Sequence, residues 1–330
     1  MKVSATMITV GLSALALTGC AGIVDHRADR REAEAEAQYP PEGRIITLED
    51  GRRVHAVTKG QGPDLILLHG ASGNTRDFTF AFMDRLTDRY RVTAFDRPGL
   101  GWTDRAAPSL AGPFDKRAES PLQQAAMLQE AADAIGIADP VVLGHSYGGS
   151  VALAWGLLRP GETSALVVLA GASNPWPGGL GPYYTFTASS LGGAVVVPLI
   201  TAFAPLNRAE DAVESIFAPQ PVPEGYVDYV GAGLTLRRET LRANARQVNS
   251  LRPHVAEMSE NYDRLPMPVE IVHGTADTIV PLAIHSEPLS RQIPEANLTR
   301  LDGVGHMPHH SAPEAVVDAI DRAASRAGLR

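Results

Sequence analysis

Cysteine is nearly absent: Cys20 is the only one in 330 residues. A lone thiol near the N-terminus closes no intrachain disulfide, supplies no thiol nucleophile to a folded body and builds no cysteine-based metal site. Basic charge is also short. Asp and Glu number 37 against 29 Lys and Arg, a formal net charge of -8, so there is no global electrostatic footprint for nucleic acid. The partners to expect are small and largely uncharged. Long apolar runs are missing too: residues 7–17 are too short to span a bilayer comfortably, and the charge-free stretch 189–206 is interrupted by Gly192-Gly193, Pro198 and Pro205. What is present is 44% hydrophobic residues, enough to bury one large core, either as a single α/β domain with an insertion or as two domains.

Lys2 and the apolar run 7–17 have the charged start and short apolar core of an export signal. Leu17-Thr18-Gly19-Cys20 resembles a bacterial lipobox, which implies cleavage before Cys20 and lipid attachment to its sulfur, with residues 1–19 as the signal peptide. An uncleaved anchor is the alternative. Either places the domain outside the cytoplasm at a membrane surface, and Ala21-Gly22 resembles an outer-membrane address. Residues 20–43, charged and apolar-poor through 25–37 and followed by Pro40-Pro41, read as a tether or a solvated helix with no assigned partner.

The body of the chain is organised around Val141-Val142-Leu143-Gly144-His145-Ser146-Tyr147-Gly148-Gly149, a β-like run that breaks into Gly-x-Ser-x-Gly and continues with helical periodicity. A serine on a sharp strand-to-helix turn has strained backbone angles, and side chains two residues either side would collide; Gly144 and Gly148 remove them. Ser146 is therefore the candidate nucleophile, with the Tyr147 N–H at the helix start as one oxyanion donor. The run 65–69 reads as a strand buried on both faces, ending in Gly70-Ala71-Ser72-Gly73. An elbow enzyme draws its second oxyanion donor from that loop, here the N–H of Ala71. His69 reads as a brace for the loop. Asp96, in the turn-rich 96–101 loop, reads as a structural group that pairs with a neighbouring Arg or caps the turn.

A hairpin over 44–49 and 53–58, strands at 91–95 and 165–170, and a helix over 122–135 closed by Gly136 give the alternation of a parallel sheet with right-handed crossovers. About ninety residues then separate strand 165–170 from the next strand, far more than a connection requires. The insertion, 175–265, reads as a helical lid, with short helices through 240–258. Leu191, Val195, Val197, Leu199, Ile200 and Phe203 are expected to line the substrate pocket or to pack the lid on the core. Strands at 269–273 and 297–301 follow, then a helix over 313–326.

After those two strands stand Asp277 and His306, so the chain order is Ser146, Asp277, His306, the order used with a nucleophile elbow. A serine hydroxyl is un-ionised at neutral pH, so an imidazole must take its proton and later return it, and a carboxylate must fix that imidazole's tautomer. The loop 171–174 has no carboxylate, which favours Asp277. His309 and His310 are rivals to His306, which Gly305 and Pro308 frame in a tight turn.

His69-Gly70, residues 96–101, the elbow, His273-Gly274-Thr275-Ala276-Asp277 and Gly305-His306 together resemble the α/β-hydrolase fold superfamily from about Arg44 to the C-terminus. The resemblance implies an α/β class fold: a mostly parallel eight-stranded sheet flanked by helices, with core segments 44–174 and 266–330 and a helical cap, 175–265, after the sixth strand. It implies acyl-enzyme chemistry without metal or organic cofactor. Relatives that open epoxides or dehalogenate carry an aspartate at the elbow, where this chain has Ser146. The leading expectation is a carboxylic-ester hydrolase acting on a small-molecule acyl substrate. Beside it stand a carbon–carbon bond hydrolase or acyltransferase on the same residues, and a non-catalytic lipid-anchored binding protein. The residues leave the acyl group, the leaving group and the oligomeric state open.

Overall fold

The computed structural model describes residues 5–205 and 207–330, with side chains from Ala21 onward. The Cys20 thiol and the side chains of the expected signal segment lie outside the described residues. Eight strands, β1 (Arg44–Thr47), β2 (Arg53–Lys59), β3 (Asp64–Leu68), β4 (Arg91–Phe95), β5 (Val141–His145), β6 (Ala165–Leu169), β7 (Val269–Gly274) and β8 (Asn297–Leu301), form one sheet in the order β1-β2-β4-β3-β5-β6-β7-β8. The β1–β2 and β2–β4 pairings are antiparallel and the others parallel.

The central strands are apolar on both faces because both faces are covered. Ile66 and Leu68 point into one core with Val142, Val151 and Trp155; Leu65 and Leu67 point into the other with Phe78, Phe82 and Ile320. The first core lies under α3 (Pro121–Ala134), α4 (Tyr147–Leu158) and α11 (Ser286–Gln292), the second under α2 (Arg76–Thr79) and α13 (Pro313–Arg326), which follows the short α12 (Pro308–Ser311). Helix α3 starts at a capping box between Ser120 and Gln123 and ends before Gly136, whose φ of 69° accepts the left-handed exit.

Between β6 and β7 the chain is helical, as expected for a cap after the sixth strand. Its elements are α5 (Pro182–Thr187), a π-helical turn (Gly192–Val196), α6 (Val197–Phe203), α7 (Asn207–Phe217), α8 (Tyr226–Val230), α9 (Ala232–Thr235) and α10 (Arg238–Ser259). Two expectations change here. Residues 240–258 belong to one 22-residue helix rather than several. Of the cap's apolar residues, Val197 is buried, but Leu191, Val195, Leu199 and Phe203 face outward instead of lining a pocket, and Ile200 is only partly covered. They recur every fourth residue, so once one is outside the helical period keeps all four there.

The expected tether also differs. Helix α1 (Ala5–Gln38) runs through it and docks on the cap. Asp25, Asp29, Glu32 and Glu36 fall at helical spacing on one face; Arg238 pairs with the first three, and Arg237 meets Glu36 at 3.0 Å. Ala28 and Ala35 are buried between, and Arg27 Nε donates to the Ala202 carbonyl at 2.7 Å. A stretch poor in large apolar residues packs because alanine permits close approach and its acids meet two cap arginines.

Candidate active site

The site collects at the carboxyl ends of the parallel strands, where ligands sit on open α/β sheets. Ser146 connects β5 to α4 with φ 54° and ψ -119°, a strained conformation for a residue with a side chain. Local geometry enforces it. A Cβ on Gly144 would stand 2.0 Å from the Gly148 carbonyl oxygen, and one on Gly148 would stand 2.2 Å from the Leu68 carbonyl oxygen. The elbow is thus clamped between its own helix and β3, with the Ser146 N–H donating to the Leu169 carbonyl at 2.9 Å.

Asp277 and His306 meet directly: His306 Nδ1 donates to Asp277 Oδ2 at 2.7 Å. Asp277 Oδ1 accepts the N–H groups of Ile279 and Val280 at 2.8 and 2.9 Å. His273 Nε2, at the end of β7, reaches Oδ2 at 3.1 Å and the Val280 carbonyl at 2.8 Å. Burial works to raise the Asp277 carboxyl, but hydrogen bonds from His273 and His306 outweigh it and keep the group ionised far below the usual carboxylate range. The turn carrying His306 is tied to the elbow, since His145 Nε2 donates to the His306 carbonyl at 2.8 Å and the two rings lie 4.9 Å apart. Among the described residues no hydrogen bond joins Ser146 to His306. Such contacts commonly tighten only with substrate bound.

Gly70 lies against the elbow: a Cβ there would be 3.0 Å from Ser146 Cβ and 3.5 Å from its Oγ. The Gly70 carbonyl accepts Arg97 Nη2 at 3.0 Å and His69 Nδ1 at 2.9 Å. In a trans peptide the next N–H points the opposite way, so these donors fix where the Ala71 N–H is aimed. Neither the Ala71 nor the Tyr147 N–H is taken up by a partner among the described residues. Arg97 is fully buried, also donating to the His69 carbonyl at 2.8 Å and to Gln124 at 2.7 Å, with its guanidinium 4.3 Å from the Tyr147 ring centroid. Burial lowers its pKa to about 10, which leaves it charged at neutral pH.

His69 braces the loop from both ring nitrogens, Nε2 accepting the Arg97 N–H at 3.0 Å. Asp96 is structural, though its partner is not an arginine. It accepts the N–H groups of Thr75 and Trp102 at 2.7 and 2.8 Å and pairs with His55 at 2.7 Å, because Arg97 is turned the other way under the 70–73 loop.

Sequence reading overlooked three features. Arg97 stands in the turn-rich 96–101 loop, and nothing local in the sequence distinguishes an arginine folded under the neighbouring loop from a solvated one. Asn244, on α10, accepts the Ser72 N–H at 2.7 Å and donates to Ser72 Oγ at 2.9 Å, fastening the cap to the 70–73 loop; its partner is 172 positions away. His309 and His310, weighed only as rivals to His306, turn instead to Asp77, whose carboxylate lies 3.2 and 3.0 Å from their Nε2 atoms and accepts the Tyr226 hydroxyl at 2.8 Å. These three residues offer ligand atoms within 4.8 Å of one another, the donor set and spacing that a transition-metal ion would need. The hydrogen-bonded cluster already satisfies the carboxylate.

A strained serine between β5 and α4, an acid after β7 and a histidine after β8 define a class, that of hydrolases built on a mostly parallel α/β sheet. The chain belongs to the alpha/beta hydrolase family, whose model matches residues 65–319. It is 28% identical over 274 residues to the pimeloyl-[acyl-carrier protein] methyl ester esterase of Aromatoleum aromaticum, covering 76% of this chain and 94% of the relative. It is 27% identical over 279 residues to the 2-hydroxymuconate semialdehyde hydrolase of Pseudomonas putida, covering 82% and 90%. Among solved structures, an alpha/beta hydrolase fold protein from Burkholderia ambifaria superposes with a TM-score of 0.66 at 24% identity, over 84% of this chain and 96% of that one. That likeness speaks to the fold alone.

Proposed function

We propose that this chain is a serine hydrolase that cleaves carboxylic esters of small to medium, largely uncharged substrates through an acyl-enzyme. The observation that carries the reading is Ser146, held in its strained turn, together with an intact His306–Asp277 pair whose turn is bonded to the elbow through His145. With Nδ1–H committed to Asp277, His306 keeps Nε2 as a base. It takes the Ser146 proton as Oγ attacks the ester carbonyl, and the oxyanion is received by the N–H groups of Ala71 and Tyr147. Collapse breaks the ester C–O bond, and the His306 proton passes to the departing alcohol. Water, deprotonated by the same nitrogen, attacks the acyl carbon and frees the acid and Ser146. No metal or organic cofactor takes part in this scheme.

The ester reading is also supported by likeness to the methyl ester esterases of Aromatoleum aromaticum and Nitrosomonas europaea. It is tested with chromogenic esters graded in acyl length. Turnover should peak at one length and fall about 10^4-fold or more in Ser146→Ala. Turnover of 2-hydroxymuconate semialdehyde in place of every ester would replace the ester reading. Unchanged activity in Ser146→Ala would remove the nucleophile.

We further propose that the chain is exported and carries a lipid on Cys20, supported by the lipobox-like Leu17-Thr18-Gly19-Cys20. Labelled fatty acid should enter the wild-type protein and not Cys20→Ser; equal labelling of the two would refute the assignment.

A further inference from the structure

The outer face of the cap is apolar where a solvent-facing helix should be polar. Leu191, Val195, Leu199 and Phe203 are 64%, 49%, 42% and 49% exposed with α1 in place, and they form one stripe along the π-turn and α6. Phe186 on α5 and Ile23 on α1 are exposed as well, and with them the stripe residues make six of the eleven exposed large apolar side chains among the described residues. Continuity with α1 is direct: the Arg27 guanidinium lies 4.9 Å from the Phe203 ring centroid, and Ile23 stands one helical turn before Arg27. No Asp, Glu, Lys or Arg occurs from 189 to 206. Patches of this kind on a monomer mark an interaction surface.

What covers the patch follows from where α1 leads. The helix continues from Ile23 toward the apolar run 7–17, and at a rise of about 1.5 Å per residue Leu17 lies only about 9 Å beyond Ile23. Whether that run stays as an anchor or gives way to a lipid on Cys20, the N-terminal end of α1 is held at a membrane, and the stripe lies beside that end. Arg27 closes the stripe at this end, its guanidinium over the Phe203 ring and its Nε on the Ala202 carbonyl, and a cation at the border of an apolar face suits the rim of an interfacial helix.

We propose that the cap lies on the lipid bilayer through Leu191, Val195, Leu199 and Phe203, so that the enzyme rests on the membrane by its lid and is not merely tethered to it. The proposal rests on the membrane-anchor reading above. It is tested with the full chain in phosphatidylethanolamine–phosphatidylglycerol vesicles whose acyl chains are brominated, comparing Leu199→Trp with Ile279→Trp, an exposed position outside the stripe. Each is read against the wild-type background of Trp102, Trp155 and Trp176. Bromine quenches only indole that enters the acyl region. The added fluorescence of Leu199→Trp should fall at least twofold on vesicles, and that of Ile279→Trp should not change. Val195→Trp, on the same stripe, should behave as Leu199→Trp and serves if that variant fails to fold. Protein that floats with the vesicles while stripe and control tryptophans respond alike would overturn the docked cap and leave the anchor standing. Protein that does not float would overturn both.

Discussion

Asp277 shows how much one carboxylate can determine. Its Oδ1 is filled by two backbone N–H groups and its Oδ2 by two imidazoles. In Asp277→Asn the amide oxygen must take the Oδ1 place to keep the Ile279 and Val280 bonds, which turns the NH2 toward His306. His306 Nδ1 would then have to accept, Nε2 would carry the proton, and the base would be lost without loss of structure. The expected outcome is a fall of about 10^4-fold in kcat in a chain that still folds cooperatively but melts at a lower Tm, because the ionised carboxylate that the imidazoles favour is gone, read by ester turnover and thermal melting. A fall below tenfold would mean that His306 does not depend on this acid. Arg97 works at the same scale by pinning the Gly70 carbonyl, which fixes the direction of the adjacent Ala71 N–H.

Among the elements, the cap and the 70–73 loop, the proposed source of one oxyanion donor, are coupled through Asn244, which holds Ser72 from α10 by two hydrogen bonds. Ser72 itself has φ 58°, a conformation that needs support from its surroundings. Asn244→Ala should release the loop and lower kcat/KM about 10- to 100-fold, while stability, followed by denaturant midpoint, drops by about 1–2 kcal/mol. Unchanged kcat/KM would show that the loop is held without Asn244, by Arg97, His69 and the Thr235 hydroxyl, which donates to the Ser72 carbonyl at 2.8 Å. The same scale separates what was legible in the chain from what was not. The strands could be read because a sheet covered on both faces demands continuous apolar runs, and the elbow because its crowded turn demands Gly144 and Gly148. The outward direction of Leu199 and Phe203 could not be read: a charge-free helical stripe looks alike whether it faces a pocket, a core or a membrane. The docking of α1 was hidden for a related reason, since its acids look solvated until Arg237 and Arg238 are placed opposite them.

For the molecule as a whole, the buried histidines make stability depend on pH. Burial, reinforced by the Arg97 charge, lowers the His69 pKa to about 4, and burial, reinforced by His273, lowers that of His285 to about 4. Between that value and the ordinary value of about 6.5, the unfolded chain binds protons that the folded chain refuses, so stability falls as pH drops through this window. Asp77, Asp96 and Asp277, all held below the usual carboxylate range, add losses that begin only below about pH 4. The Tm should therefore decline from about pH 6.5 downward, by about 5 °C or more at pH 4.5. A flat Tm from pH 7 to 4.5 would mean that these imidazoles are already charged in the fold.

The central claim is that Ser146 is a nucleophile activated by His306, and its most direct measurement is covalent. The intact protein is treated with an alkyl fluorophosphonate, which phosphonylates an activated serine, and the modified peptide is located by mass spectrometry. One adduct on Ser146, absent from Ser146→Ala and formed at least a hundredfold more slowly in His306→Ala, is the predicted result. An adduct on another residue, or labelling of Ser146 at the same rate without His306, would contradict it.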